Sequence, residues 1–387
     1  MKISIKQTIL NQVLAHANRI VEKRLATPVL GCVLMETVDS EHINVTATNL
    51  DMTVVDIAPG NVEFTGAYCI PASLLYEITK KLPSASEIVI EKSNDTNSIA
   101  VTSNKTSFSL NYIESSEFPP VTAQEILQSF ELNATTLKNA LNTAKVAMSQ
   151  DNTRIQLNGI HIHYENSNGL DTLRVVATDL FRIACVSMPV SADAKDINPI
   201  IISRRAVGEL LHMLDDVPDD NSINVKLQNG QIMFEANLKN NIQSVFSTRL
   251  ISGTFPEYKV ALEVQNDKIL QAKTEDLVNA LDRVGTIITD TSNSVKLSLS
   301  DNTLTISGIS REFGSATETI DVEFLSDEPL DICFNSRYLL ELVRQIETEK
   351  VEILFNNSTS PTVIKPVSDN NTEKITFVIM PVELVHN

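Results

Sequence analysis

The sequence predicts an α+β protein of three homologous domains, each with two helices on one face of an antiparallel sheet. Three observations predict it. An amphipathic helix, strand-like segments ending in a turn, and a second helix recur in that order three times along 387 residues. The second-helix segments open at Ile70, Ile202 and Phe334, spacings of 132 and 132 residues. Two copies close on related tails, SSEFPP (115–120) and SGTFPEY (252–258). At roughly 100–200 residues per domain the length allows two or three domains. The boundaries that follow are 1–125, 126–256 and 257–387.

The first helices are Leu10–Val21 (LNQVLAHANRIV), Leu137–Met148 (LKNALNTAKVAM) and Leu277–Ile288 (LVNALDRVGTII). In the middle copy Leu137, Leu141, Ala144 and Met148 recur at steps of three and four, one stripe of a helix. The turns that follow read ATNLD (47–51), ATDLF (177–181) and SGISR (307–311). The second helices are IPASLLYEITKKL (70–82), ISRRAVGELLHML (202–214) and FNSRYLLELVRQI (334–346). Ser73, Ser203 and Asn335 stand near their starts, where a side-chain oxygen can cap free N–H groups. Strands rich in Val, Ile and Phe follow (EIVIEK, INVKLQ, VEILFN), with polar turns between them. Pro119, Pro120 and Pro256 mark linkers, because proline cannot continue a ladder.

Hydrophobic residues at 42% and charged residues at 21% fit a folded chain and exclude a disordered or collagen-like one. No apolar run approaches the ~18 residues that span a bilayer, so no membrane partner is expected. MKISIKQTIL lacks the apolar stretch of a signal peptide, and the expected compartment is the cytoplasm. Cys32, Cys69, Cys185 and Cys333 lie far apart in or beside apolar stretches and read as buried free thiols.

The net charge of −18 argues against phosphate binding as a bulk property, and with no Trp and only 19 Phe plus Tyr, platforms for single strands are poorly supplied. The distribution is uneven. The six helices, taken as 8–24, 72–82, 135–148, 203–214, 274–288 and 335–347, carry twelve Lys/Arg and eight Asp/Glu. Their net +4 leaves −22 on the rest of the chain, so a surface made of helices could accept phosphates while the remainder repels them. The competing reading is that Lys and Arg are good helix formers on solvated faces.

No Walker loop, nucleophile elbow or H-E-x-x-H motif is present, so no enzyme or cofactor is indicated. His161-x-His163 would share a strand face, yet no acidic or cysteine partner completes a metal site. The Asp215-Asp216 and Asp219-Asp220 cluster lacks the spacing and glycine of a calcium loop.

The segments RLATPVLG (24–31), LNGIHIH (157–163), VVATDLFRIA (175–184), SGTFPEY (252–258), FNSRYLLELV (334–343) and VIMPVEL (378–384), with the threefold repeat, resemble the bacterial DNA polymerase III beta subunit, the sliding clamp. The resemblance runs from Met1 to about Leu384. It implies the DNA clamp fold and a homodimer: two chains joined head to tail in a ring, helices lining the hole. Double-stranded DNA would pass through without sequence readout or chemistry. A clamp loader ATPase would open the ring, and a replicative polymerase subunit and other repair and replication proteins would be held by it.

The resemblance also implies sites. Arg24, Lys80 and Gln150 match DNA-touching positions, Arg154, Arg204 and Arg205 are lumen candidates, and Ser73 stands where the family carries a basic residue. An apolar cleft for partner peptides would draw on Leu157, Thr178, Leu180, Phe181, Arg182 and Ile183 of the middle domain, with Pro256. From the last domain it would take Val363, Val378, Ile379, Met380, Pro381, Val382 and Leu384. There a few Leu or Phe side chains would fill apolar holes while backbone bonds set register. Leu180-Phe181 replaces the family's usual glycine and polar or aromatic pair, Glu383 replaces a common arginine, and Val385-His386-Asn387 extends past the usual end. Phe108 and Leu110 match one side of the dimer interface, Ile287 and Ile288 the other.

Overall fold

The computed structural model describes residues 1–22, 27–92, 97–121, 124–167, 169–288, 293–326, 328–367 and 374–383. Among them the helices are α1 (Gln7–Ile20), α2 (Ala72–Lys81), α3 (Ala134–Ala144), α4 (Arg204–Asp215), the short α5 (Lys259–Leu262), α6 (Thr274–Gly285) and α7 (Ser336–Val343). The second helices start at Ala72, Arg204 and Ser336, so the 132-residue spacing of the sequence is kept. Each long helix exists because one stripe is apolar. In α1, Leu10, Val13, Leu14, Ala17 and Ile20 are buried at steps of three and four. Burying each such large aliphatic side chain contributes about 1.5–3 kcal/mol.

Several helix ends differ from expectation. The first helix stops at Ile20 because Val21 turns extended (φ −59°, ψ 149°), and Lys23 and Arg24 fall outside the described residues. The middle first helix ends at Ala144 and tightens into a 3-10 turn over Lys145–Ala147. Of the expected caps, Asn335 accepts from the Tyr338 amide at 3.0 Å, while Ser73 instead donates to Asn18 Oδ1 at 2.7 Å.

Contacts group the chain into two compact units: Met1–Lys138 with Ser191–Ile197 and Arg205–Ile251, and Asn139–Val190 with Asn198–Arg204 and Ser252–Asn387. The middle repeat therefore contributes to both. In the first unit a five-stranded antiparallel sheet runs in the order Asn61–Phe64, Lys2–Lys6, Glu87–Lys92, Ile99–Ser103, Thr106–Leu110. A nine-stranded sheet joins the first repeat to the middle one. Its seam is the pairing of Met52–Pro59 with Ile242–Arg249, Val54 opposite Phe246. In the second unit another nine-stranded sheet has a matching seam, Arg182–Pro189 against Lys374–Ile379, Ile183 opposite Val378. A four-stranded sheet, Gly314–Asp321, Thr303–Ser310, Ser294–Ser300, Leu330–Asn335, completes it.

The repeats make these seams equivalent. Met52–Pro59, Arg182–Pro189 and Gly314–Asp321 each follow the turn of their copy, and Thr106–Leu110, Ile242–Arg249 and Lys374–Ile379 each precede the tail. Two of the three strand pairs this allows are made. Thr106–Leu110 and Gly314–Asp321 remain edge strands, each with one outer row of backbone groups not taken up by a ladder among the described residues.

In the first unit α1 is also held by a buried charge. His16 lies between Asp56 Oδ2 (2.8 Å from Nδ1), on the strand Met52–Pro59, and Asp216 Oδ2 (3.0 Å from Nε2), just beyond α4. Two carboxylates facing both ring nitrogens require both to carry protons. Burial opposes that charge, but the bonds to Asp216 and Asp56 outweigh it and raise the His16 pKa to about 9. Gln12 adds a bond to Asp216 Oδ2 at 2.9 Å. Because the folded value lies above the ordinary 6.5, this stabilisation is whole below about 6.5 and lost as pH rises through about 9. Relative to His16→Gln, the wild-type protein should lose on the order of 3 kcal/mol in urea unfolding between about pH 7 and about pH 10. Parallel pH curves for the two proteins would show that His16 does not titrate against these carboxylates.

Candidate functional site

The turn at residues 177–181 shapes the main cleft of the second unit. Thr178 Oγ1 donates to the Arg182 carbonyl (2.8 Å) and accepts from the Leu180 amide (3.0 Å). Asp179 Oδ1 accepts from the amides of Phe181 and Arg182, both at 3.0 Å. These bonds hold Leu180 at φ 76°, a left-handed conformation that costs a side chain bearing a Cβ about 1–2 kcal/mol. That is the physical reason a glycine suits this position. Leu180 and Phe181 are thereby pushed outward, 45% and 61% exposed.

The same turn occurs in the first repeat. Thr48 Oγ1 donates to the Met52 carbonyl (3.0 Å) and accepts from the Leu50 amide (3.1 Å), Asn49 Oδ1 takes the next two amides, and Leu50 also sits at φ 76°. The strand partner repeats as well: Met380 N donates to Phe181 O at 2.8 Å, as Arg249 N donates to Asp51 O at 2.8 Å. What differs is the side chains. In the first unit Asp51 and Arg249 form an ion pair at 3.5 Å, where the second unit has Phe181 and Met380. One seam thus presents a charged, self-satisfied surface and the other an apolar one.

The cleft beside the apolar seam encloses about 450 Å³, lined by Leu157, Leu180, Phe181, Tyr338, the arginines 154, 182 and 337, Asp151, Asp179 and the segment 148–150. Thr178, Val363, Val378 and Ile379 are buried and do not line it, and Ile183, Val378 and Val363 form one cross-strand row. Met380 and Val382 stay more than a third exposed and Pro381 is half-buried. Leu384 and the extension Val385–Asn387 lie outside the described residues. Arg182 forms the floor. It is 7% exposed, donates to Asp179 Oδ2 (3.1 Å) and Glu341 Oε2 (2.7 Å), and lies 4.1 Å from the centre of the Tyr338 ring. Burial would raise the Glu341 carboxyl, but the bonds from Arg337 and Arg182 hold it below the usual range.

Gln150 and Arg154, read from sequence as DNA contacts, are exposed on the rim of this cleft. Arg204 is committed elsewhere: its guanidinium donates to the Met148 and Ser149 carbonyls (2.5 and 2.6 Å) and to Asn158 Oδ1 (3.1 Å). Arg205 donates to the Arg19 and Ile20 carbonyls at the C-terminus of α1, where the helix dipole favours a cation. Lys80 is exposed, 5.8 Å from the Tyr76 ring centre, and Arg24 is outside the described residues. Other helix cations are paired: Lys138 with Asp215, Arg283 with Glu318 and Arg344 with Asp282. Phe108, Ile287 and Ile288 are half-buried, while Leu110 is buried in its own sheet.

The histidine pair is structural. His163 Nδ1 donates to the Tyr164 carbonyl, so Nε2 of the neutral ring accepts from the Tyr258 hydroxyl at 2.7 Å. His161 stacks on Phe255 with centroids 4.6 Å apart, and burial above all lowers its pKa to about 4. The two residues anchor the 252–258 segment, leaving Pro256 half-buried between Phe255 and Tyr258. No three His, Cys, Asp or Glu among the described residues are placed to hold a metal. Tyr338, Arg337, Asp151 and Asp179 escaped the sequence reading as cleft residues; FNSRYLLELV was noted there only as a motif.

A repeated α+β chain with a cleft that pairs apolar walls with a hydrogen-bonded floor has the build of a docking protein. Models of the DNA polymerase III beta subunit N-terminal, central and C-terminal domains match residues 1–122, 131–257 and 261–383. The beta sliding clamps of Caulobacter vibrioides (29% identical) and Escherichia coli strain K12 (28%) each align over 385 residues, 99% of this chain and 100% of theirs. The crystal structure of a DnaN sliding clamp from Bartonella birtlesii, bound to griselimycin, is 32% identical with a TM-score of 0.91, over 99% of this chain and 100% of that one. The chain therefore belongs to the DNA polymerase III beta subunit family, the beta sliding clamps. Its function is that of a processivity clamp, a non-catalytic accessory subunit of the polymerase.

Thr178→Val keeps the shape of the turn and removes its hydroxyl, leaving the Leu180 amide and Arg182 carbonyl short of a partner. Urea unfolding should register a loss of about 1–3 kcal/mol, and Thr48→Val should behave alike. Unchanged midpoints in both would show that Asp179 and Asn49 alone hold these turns.

Proposed function

We propose that two copies of this chain join head to tail into a ring that encircles double-stranded DNA, and that the cleft at the 182–189 seam takes short peptides from the proteins the ring serves. The observation that carries the ring is the pair of unfilled edges. Two of three equivalent seams are made within the chain, and the two strands of the third are left at sheet edges among the described residues, open to another copy. Gly314–Asp321 of one protomer would pair with Thr106–Leu110 of its partner, and the reciprocal pair would close the circle. Phe108, Leu110, Ile287 and Ile288 would pack at that seam. The domains would span 1–125, 126–256 and 257–387, with their helices inward.

A ring of this kind needs no tight grip on phosphate. The least acidic part of the chain is its helices, and Lys80, Arg24, Gln150 and the arginines 154, 204 and 205 would supply weak, mobile contacts. Arg204 and Arg205 already donate to backbone carbonyls, so their part is to raise the local potential more than to hold one phosphate. The acidic remainder would keep duplex off the outer surface. A clamp loader ATPase in the cytoplasm would open one seam, and the replicative polymerase subunit and repair proteins would share the cleft.

Loaded protein should stay on circular duplex and leave once the circle is cut; equal loss from both would refute topological holding. Sedimentation should give about twice 42.7 kDa, and Ile287→Asp with Ile288→Asp should give monomers, since each buried unpaired charge costs several kcal/mol. A normal dimer would place the seam elsewhere. Met380→Ala with Phe181→Ala should weaken a polymerase-derived peptide about tenfold or more by titration calorimetry without altering the dimer; unchanged affinity would remove the cleft from this role.

A further inference from the structure

We propose that the seam between the first and middle repeats holds a binding site for one internal water molecule, which bridges Asp56 Oδ1 to Ser244 Oγ. The two residues stand opposite each other where Met52–Pro59 pairs with Ile242–Arg249. Directly opposed residues of an antiparallel pair project to the same face, with Cβ atoms about 4.5–5.5 Å apart. Both are buried, Asp56 at 0% and Ser244 at 1% exposure. Asp56 Oδ2 is taken by His16, yet Asp56 Oδ1 and Ser244 Oγ have no hydrogen-bond partner among the described residues. A buried carboxylate oxygen left unbonded is costly, because nothing replaces the water it gave up on folding.

The site has room for that replacement. Ser244 lines a cavity of about 10 Å³, together with His16 and an apolar wall of Ile20, Val54 and Phe246. Such a volume admits one water and nothing larger. Arg19 and His212, on its rim, are exposed, so the cavity has a path to solvent. The hydrogen bonding is complementary. The Ser244 hydroxyl can donate to the water oxygen, and the water can donate to Asp56 Oδ1, which as a carboxylate oxygen accepts and cannot donate. Two polar partners are enough to hold an internal water. A metal cation is the poorer occupant. Protonated His16 already faces the same carboxylate, and hard cations gather about six oxygens where this site offers two. With the water in place, the clasp of His16 carries no orphaned oxygen on Asp56, and the charges inside the seam are fully bonded.

The test is a crystal structure of the full-length protein at a resolution that shows ordered water, with two variants beside it. The wild type should show one peak within about 2.6–3.2 Å of both Asp56 Oδ1 and Ser244 Oγ. Ser244→Ala should keep the peak, and Ser244→Val, whose methyl groups take its space, should lose it. In urea, Ser244→Val should then unfold with an equilibrium constant about tenfold larger than Ser244→Ala, because it strands the carboxylate oxygen. A dry site reverses that order, since a valine filling an empty cavity outdoes alanine. A wild-type structure with no peak, or with Ser244 bonded directly to Asp56, overturns the inference. So does a valine variant as stable as the alanine one, or a peak ringed by five or more oxygens at about 2.3–2.6 Å, which marks a metal ion. Should Ser244→Val not fold, the densities decide: a peak shared by wild type and Ser244→Ala supports the site, and its absence from the wild type refutes it.

Discussion

An antiparallel sheet built from repeats has to end somewhere, and where it ends a row of N–H and C=O groups is left for water or for another strand. In this chain that constraint organises the rest. Each repeat offers one strand after its turn and one before its tail, and two of the three such pairs are joined among the described residues. Everything proposed about assembly follows from the pair left over. The made seams show what the third requires: a register set by alternating apolar side chains, with Val54 against Phe246 in one case and Ile183 against Val378 in the other.

Equivalence of backbone does not carry over to chemistry. The turns at 48–52 and 178–182 share hydroxyl bonds, carboxyl or amide bonds and a leucine in the left-handed region, so the fold demands that geometry in both places. A strained residue there is consequently no sign of a site in itself. The two seams part company at the side chains, where Phe181 and Met380 replace the ion pair of Asp51 and Arg249. The buried Arg182, stacked on Tyr338 and held by two carboxylates, gives the apolar seam a rigid base that does not depend on a bound partner.

Much of the architecture was legible from residues. The 132-residue period survives in the helix starts, because amphipathic spacing and proline or polar punctuation are local signals. The four cysteines are buried and free, as their apolar neighbourhoods indicate. Helix ends were less legible. Nothing in Val21 announces that it turns extended, since the tie to the carbonyls of Arg19 and Ile20 comes from Arg205, 185 residues away from Ile20. The same distance hides the clasp of His16 by Asp56 and Asp216. Counting helix charges gave a net +4, but it could not show that Arg204 serves carbonyls or that Lys138, Arg283 and Arg344 already have acidic partners. In the cleft, the residues contributed by one strand and turn were readable as a motif. Tyr338 and Arg337 were not, because they reach the same hollow from a helix whose periodicity reports only its buried stripe.

The ion pair of Asp51 and Arg249 has a corollary for valency. The backbone beneath it already matches that of the seam proposed to dock partners, so on that proposal the two seams differ chiefly in their side chains. Substituting an aromatic for the aspartate and a thioether for the arginine would offer tethered partners two berths per chain in place of one, and gains in residence through avidity would then depend on linker reach. If the 182–189 seam docks partners as proposed, the native charged pair would hold each chain to a single such berth.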